Sequence, residues 1–273
     1  MTIALLNGRP EKDEWTASRA LHYGDGVFRT MLAFDGNIVD EQRQFAKLAL
    51  DAQRLGLSTA AAGQCQRDAR KLAADSGSAA IKCILWREGQ QRGYRPATRA
   101  ASRLVIAGPL PQRRATSWTR GVVAMRSAVM LGAQPLLAGV KHLGRLEQVL
   151  ASAGWPRGVD EAILCDVRGH PIGGTRSNLF FVRRSRLYTP QLTTCGVAGV
   201  MREKVLEIAQ ALGVRWQIDS WRWSDFEMSD EAFITNSLIG IWPLRRCGER
   251  KWHAPGALTR ALMRAIDHPL VPA

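Results

Sequence analysis

The stretch GVKHLGRLEQ, Gly139 to Gln148, holds a lysine at the end of an apolar segment, Pro135 to Val140. After it, Leu143, Leu146, Leu150 and Ala153 stand at helical spacing, which predicts an amphipathic helix with Lys141 at its start. Packing on one side of such a junction aims the ammonium inward. A desolvated lysine gives up its proton readily and then serves as nucleophile or base. Most lysines at helix starts are simply solvated, so the rest of the chain decides what this one does.

Upstream, ALLNG predicts a short strand turning at Asn7-Gly8, and Gly24 and Gly26 around Asp25 predict a tight bend beside Tyr23 and Phe28. MLAFDGNIVD reads as a hairpin about Asp35-Gly36, with strands Thr30 to Phe34 and Asn37 to Val39. A helix follows over Glu41 to Leu57 with Phe45, Leu48, Ala52 and Leu55 on one face and Lys47, Asp51 and Arg54 on the other. A second helix over residues 59–78, a buried strand Ile81 to Arg87 and a strand Leu104 to Ala107 complete this half. Between the two strands, the loop Glu88 to Pro96 presents Arg92, Tyr94 and Arg95, two guanidiniums and a phenol suited to a carboxylate.

GPLPQRRATSWTR, Gly108 to Arg120, has prolines, arginines and no periodicity. It predicts a linker over 108–120 between an N-terminal α/β domain, 1–107, and a C-terminal domain, 121–273, that carries Lys141. The second half reads as strands Gly121 to Met125, Glu161 to Asp166, Asn178 to Arg183, Leu187 to Pro190 and Ala232 to Ser237, with a helical tail from Pro255. In CGVAGVMR, Gly196 and Gly199 precede a helix with Met201, Val205, Ile208 and Leu212 on one face. Free amides at a glycine-bordered helix start cradle phosphate, because the N–H groups and the helix dipole point the same way. The fold class is α/β in the mixed, α+β sense.

With 273 residues, 46% hydrophobic and 23% charged, the chain can bury a sizeable core. No apolar run approaches the roughly 20 residues of a membrane span, and the N-terminus lacks a signal-like pattern, so a cytoplasmic protein with no membrane partner is expected. Cys65, Cys83, Cys165, Cys195 and Cys247 show no CxxC spacing, which argues for reduced thiols and against a zinc site. The net charge of +14 is spread along the chain without a nucleic-acid-binding motif, so no nucleic-acid partner is expected; a bland basic surface is, with a general attraction for anionic substrates as the alternative.

Taken together, YGDGVF, the RGY loop, KHLGRLEQVLASAGW, GTRSNLF, CGVAGVMR and TNSLIGIWP resemble, in order and spacing, the fold-type IV enzymes that use pyridoxal 5′-phosphate, the class IV aminotransferase family. The match runs from about Asn7 to Trp242. KHLxRLEQ, CGVAGVMR and NSLIGIWP are most similar to the lyase branch, which converts 4-amino-4-deoxychorismate to 4-aminobenzoate and pyruvate. The resemblance implies two α/β domains with the cofactor between them, in a homodimer acting on a small molecule. It implies Lys141 as the amine that carries the cofactor and moves protons, Lys47, Gly199, Val200, Met201, Asn236 and Ser237 around the phosphate, and Asn178 beside the ring. Tyr23, Phe28, Arg92 and Tyr94 would face the substrate.

The sequence also departs from the family pattern. Gly173 stands where an acid pairs with the pyridinium nitrogen, Lys47 replaces an arginine, Gly144 an asparagine and Ser18 an aspartate, and Arg29 takes an acidic position. A neutral pyridine is a poorer electron sink, which favours an aromatising lyase over a D-amino-acid or branched-chain aminotransferase. Gly173 and Lys47 also leave open a homologue that works without the cofactor.

Overall fold

The computed structural model describes residues 4–6, 9–11, 14–89 and 92–272. The chain divides into two compact units, Met1–Pro109 with Lys141–Gly144, and Leu110–Val140 with Arg145–Ala273. Among the described residues, no helix is long and apolar enough to cross a membrane.

In unit 1, β1 (Ala4–Leu6) pairs antiparallel with β2 (Arg9–Glu11); the turn read at Asn7-Gly8 lies outside the described residues. The short helix α1 (Arg19–Tyr23) is capped by the Ser18 side chain and ends at Gly24, whose φ of 63° suits glycine. The strands β3 (Gly26–Phe34) and β4 (Asn37–Ile38) form the hairpin. Asp35 and Gly36 both take positive φ, 48° and 76°, the primed turn that matches strand twist. The helices α2 (Glu41–Arg54) and α3 (Ala60–Ser76) lead to β5 (Ala79–Arg87) and β6 (Ala101–Gly108), which complete an antiparallel sheet of order β4-β3-β5-β6. Along β5, Ala79, Ile81, Cys83, Leu85 and Arg87 are buried, and Ala80, Lys82, Ile84 and Trp86 are half-buried on the other face. One sheet face therefore forms the core of this unit, with Phe45, Leu48 and Ala52 of α2 and Cys65, Ala69 and Ala73 of α3 also buried.

Unit 2 begins with α4 (Thr116–Thr119), inside the expected linker. Trp118 is buried there and donates its indole N–H to Ile239 O at 2.8 Å, which makes this segment part of the unit's core. Its other elements are β7 (Val122–Leu131), α5 (Leu146–Ser152), β8 (Glu161–Asp166), β9 (Pro171–Gly174), β10 (Asn178–Arg183), β11 (Arg186–Pro190), α6 (Val200–Ala211), β12 (Trp216–Asp219), α7 (Trp223–Glu227), β13 (Glu231–Asn236), β14 (Gly240–Cys247), β15 (Arg250–Lys251) and α8 (Ala257–Ile266). The strands run in the order β12-β11-β10-β13-β14-β7-β8-β9, and β9 pairs back to β10 at Gly173 and Asn178, so six of them close into a ring. Stacked Phe180 and Phe233, 5.0 Å apart, belong to the unit's hydrophobic core together with Leu179, Ile234 and Trp242.

Two expectations change around the lysine. Phe28 N–H donates to Lys141 O and Leu143 N–H to Gly26 O, both at 2.9 Å, so residues 141–143 lie along the β3 edge as a bridge. Backbone groups used in that pairing cannot start a helix, and α5 begins only at Leu146. The same bonds group Lys141 with the N-terminal unit, not with the C-terminal domain. The expected buried face fails as well, since Leu146 is 76% and Leu150 63% exposed.

Candidate active site

The Lys141 side chain lies over Phe28, its Nζ 4.7 Å from the ring centroid. Its backbone N–H points to Asp51 Oδ2 at 3.4 Å. Asp51 is wholly buried and is the centre of an ionic cluster, taking Arg29 Nη2 on Oδ2 at 2.8 Å and the Lys47 ammonium on Oδ1. Read from sequence, Lys47 and Asp51 belonged to the outward side of α2; the structure buries both, because Arg29 projects from the buried face of β3. Lys47, expected at the cofactor phosphate, is thus ion-paired within its own unit. Asp51 is the residue the sequence reading missed, and basic Arg29 where an acid is usual was the signal that could have found it.

The RGY loop is held from α1. Arg19 Nη1 and Nη2 donate to Gly93 O at 2.9 Å and Tyr94 O at 3.2 Å, and the Tyr23 hydroxyl accepts from Gly93 N–H at 2.8 Å. Tyr23 and Tyr94 rings meet edge-on at 5.5 Å. Asp25, in the glycine bend, accepts from Arg19 Nε at 2.8 Å and Arg87 Nε at 2.9 Å. Arg87 ties the bend to the carbonyls of Leu55, Gly56 and Thr98. The structure therefore brings Tyr23 and Tyr94 together, and Lys141 and Phe28 together. Arg92 and Tyr94 are exposed, Tyr94 by 87%.

Unit 2 gathers Asn178, Gly199, Val200 and Met201 at the start of α6. Asn178 Nδ2 donates to Val197 O at 2.7 Å and its Oδ1 accepts from Gly199 N–H at 3.1 Å, fixing the turn before the helix. A Cβ on Gly199 would stand 2.3 Å from Asn178 Oδ1, so any larger residue there displaces the Asn178 side chain from the turn. Gly199 caps α6 without a side-chain bond, which leaves the amides of Val200 and Met201 in the first turn for an anion. Arg202 anchors that turn from behind, donating to Pro190 O at 3.0 Å and Thr189 Oγ1 at 3.3 Å; burial pushes its pKa below the ordinary arginine value. The loop itself is tied to the segment before the lysine, with Gly139 N–H donating to Gly196 O at 2.9 Å and Ala198 N–H to Gly139 O at 3.1 Å. The Asn236 side chain shapes its own turn, Oδ1 accepting from Leu238 and Ile239 N–H and Nδ2 donating to Arg176 O. The Ser237 carbonyl lies 3.2 Å from His268 Nε2.

Gly173 packs against backbone, with a Cβ there 2.9 Å from Ser177 O. The nearby carboxylate is Glu161, 1% exposed, which accepts from Ala162 N–H, Thr175 N–H and Oγ1, and Ser177 Oγ at 2.6–3.0 Å. Its oxygens hold the β9–β10 turn. Each unit, taken by itself, offers one feature that pyridoxal phosphate calls for: unit 2 a first-turn amide cradle for a phosphate, unit 1 a lysine whose backbone is held for an aldehyde; the Gly173 position supplies no acid for a ring nitrogen.

The Amino-transferase class IV family profile matches residues 26–247, and the chain belongs to that family. Over 268 residues it is 34% identical to the aminodeoxychorismate lyase of Vibrio harveyi, covering 96% of this chain and 98% of that one. The 4-amino-4-deoxychorismate lyase structure from Pseudomonas aeruginosa is similar with a TM-score of 0.88 at 38% identity, covering 97% and 98% of the two chains. The branched-chain amino acid aminotransferase structure from Escherichia coli shares the fold, with a TM-score of 0.79 at 23% identity and 94% and 91% coverage.

Proposed function

We propose that the protein is a pyridoxal-phosphate-dependent lyase that converts 4-amino-4-deoxychorismate to 4-aminobenzoate and pyruvate. The observation that carries the reading is the loop before α6: its turn, held by Asn178 against Gly199, leaves amides for a phosphate and is hydrogen-bonded to Gly139, two residues before Lys141 in the chain. The near-full-length likeness to lyases of that name supports it.

Lys141 would carry the cofactor, Val200 and Met201 would hold its phosphate through backbone amides, and Asn178 would set the turn that presents them. The bound cofactor supplies an aldehyde that condenses with amines and a ring that withdraws electrons. The overall reaction breaks the ether C–O bond, takes a proton from the ring carbon that bears the amine and places one on the enolpyruvyl methylene. One amine that accepts and returns a proton serves both transfers, and the Phe28 ring 4.7 Å from Lys141 Nζ gives it an apolar neighbour. Aromatisation supplies driving force, so the reaction tolerates Gly173 better than amino-group transfer does.

The test compares 4-aminobenzoate formation with amino-group transfer from D-alanine or branched-chain amino acids to a keto acid. The lyase reaction dominates and Lys141→Ala abolishes it; transfer at a comparable rate refutes the preference. A cytoplasmic homodimer is part of the proposal, supported by five buried free thiols and by exposed Leu136, Leu146, Val149 and Leu150.

A further inference from the structure

We propose that Lys82 binds the ring carboxylate of the substrate and so sets specificity beside the reactive amine. The inference rests on the functional reading above. In the β3–β5 register Thr30 faces Lys82 and Phe28 faces Ile84, which puts Lys82 and Phe28 on the same, half-buried sheet face. Lys82 Nζ lies 4.9 Å from the Phe28 centroid and Lys141 Nζ 4.7 Å from it, so the two ammonium groups are separated by no more than the sum of those distances.

Around them the face is mostly apolar, with Ile106 opposite Lys82 and Leu104 opposite Ile84 on β6, and Thr30 and Ser102 its polar members. Among the described residues the Lys82 ammonium makes no hydrogen bond or ion pair, and its one contact of that kind is with the Phe28 ring. A half-buried cation without a counter-ion, amid apolar neighbours, attracts an anion more strongly than a solvated one does. The substrate supplies that anion in a fixed place, because its amine and ring carboxylate sit at opposite ends of a six-membered ring. With the amine at Lys141, the carboxylate is carried away from Nζ toward a second cation. An α-amino acid has its carboxylate on the carbon bearing the amine and cannot span the two lysines, so Lys82 selects for the ring substrate. The second carboxylate, on the enolpyruvyl group, remains for the RGY loop.

The test uses cofactor-loaded wild type, K82Q and K82R, and measures binding of 4-aminobenzoate and of its neutral analogue 4-aminobenzamide by calorimetry, with cofactor affinity read from visible absorbance. Wild type binds the carboxylate about tenfold or more tighter than the amide, K82Q loses that preference, K82R keeps part of it, and cofactor affinity is unchanged. In turnover, KM rises in K82Q by more than kcat falls. A K82Q protein that keeps the carboxylate preference overturns the assignment, and so does one that loses cofactor in parallel, which would give the charge to the phosphate. Wild type that forms no 4-aminobenzoate defeats the functional reading itself; wild type that forms it, with K82Q indifferent, defeats only the role of Lys82.

Discussion

The two regions assigned to the cofactor are built in opposite ways. Around Lys141, position is set by buried charged side chains, with Asp51 joining Arg29, Lys47 and the lysine backbone. At the start of α6, position is set by backbone, with Asn178 and Gly199 arranging amides that carry no net charge. A buried ionic cluster fails when one member goes, because the remaining charges stay desolvated. A backbone cradle fails by displacement of its turn, while the surrounding core survives.

The largest effect should therefore come from Asp51→Ala, which strands two buried cations. Urea denaturation should show a loss of about 3–5 kcal/mol. A loss under 1 kcal/mol would mean that the cluster is solvated and that the contrast does not hold. Gly199→Ala should act on the ligand instead. Its methyl collides with Asn178 Oδ1, and titration with pyridoxal phosphate should show affinity falling about tenfold or more, roughly 1.4 kcal/mol, with the unfolding midpoint little changed. Equal losses of stability in both variants would erase the distinction.

The smallest effect is a pH dependence belonging to neither region. Burial pushes the thiols of Cys165 and Cys195 up, and that of Cys247 to about 12. The folded chain keeps these protons while the unfolded chain releases them, so stability is full below the ordinary thiol pKa of about 8.5 and declines as pH rises beyond it. Cys247→Ala should flatten that decline slightly in unfolding curves taken from pH 7 to 10.

What was legible follows from the same contrast. Strands Glu161–Asp166 and Asn178–Arg183 and the helix after CGVAG stand where periodicity put them, because their burial pattern is local. Gly199 stands just before α6, where the sequence puts it, but the close approach of Asn178, 21 residues earlier, which holds its turn, was not legible. The lysine segment was misread as a helix because its partner, the edge of β3, lies more than a hundred residues earlier, and apolar Leu146 and Leu150 mimicked a core-facing stripe. The Asp51 cluster was harder to read, because polar residues on a helix read as outward and the cue to its burial, Arg29 on β3, lies 22 residues away.

The most direct test of the central claim is borohydride reduction of the protein in the presence of pyridoxal phosphate, followed by peptide mass mapping. The account predicts a phosphopyridoxyl group fixed stoichiometrically on Lys141. Modification scattered over surface lysines, or concentrated on another residue such as Lys47 or Lys82, would contradict it.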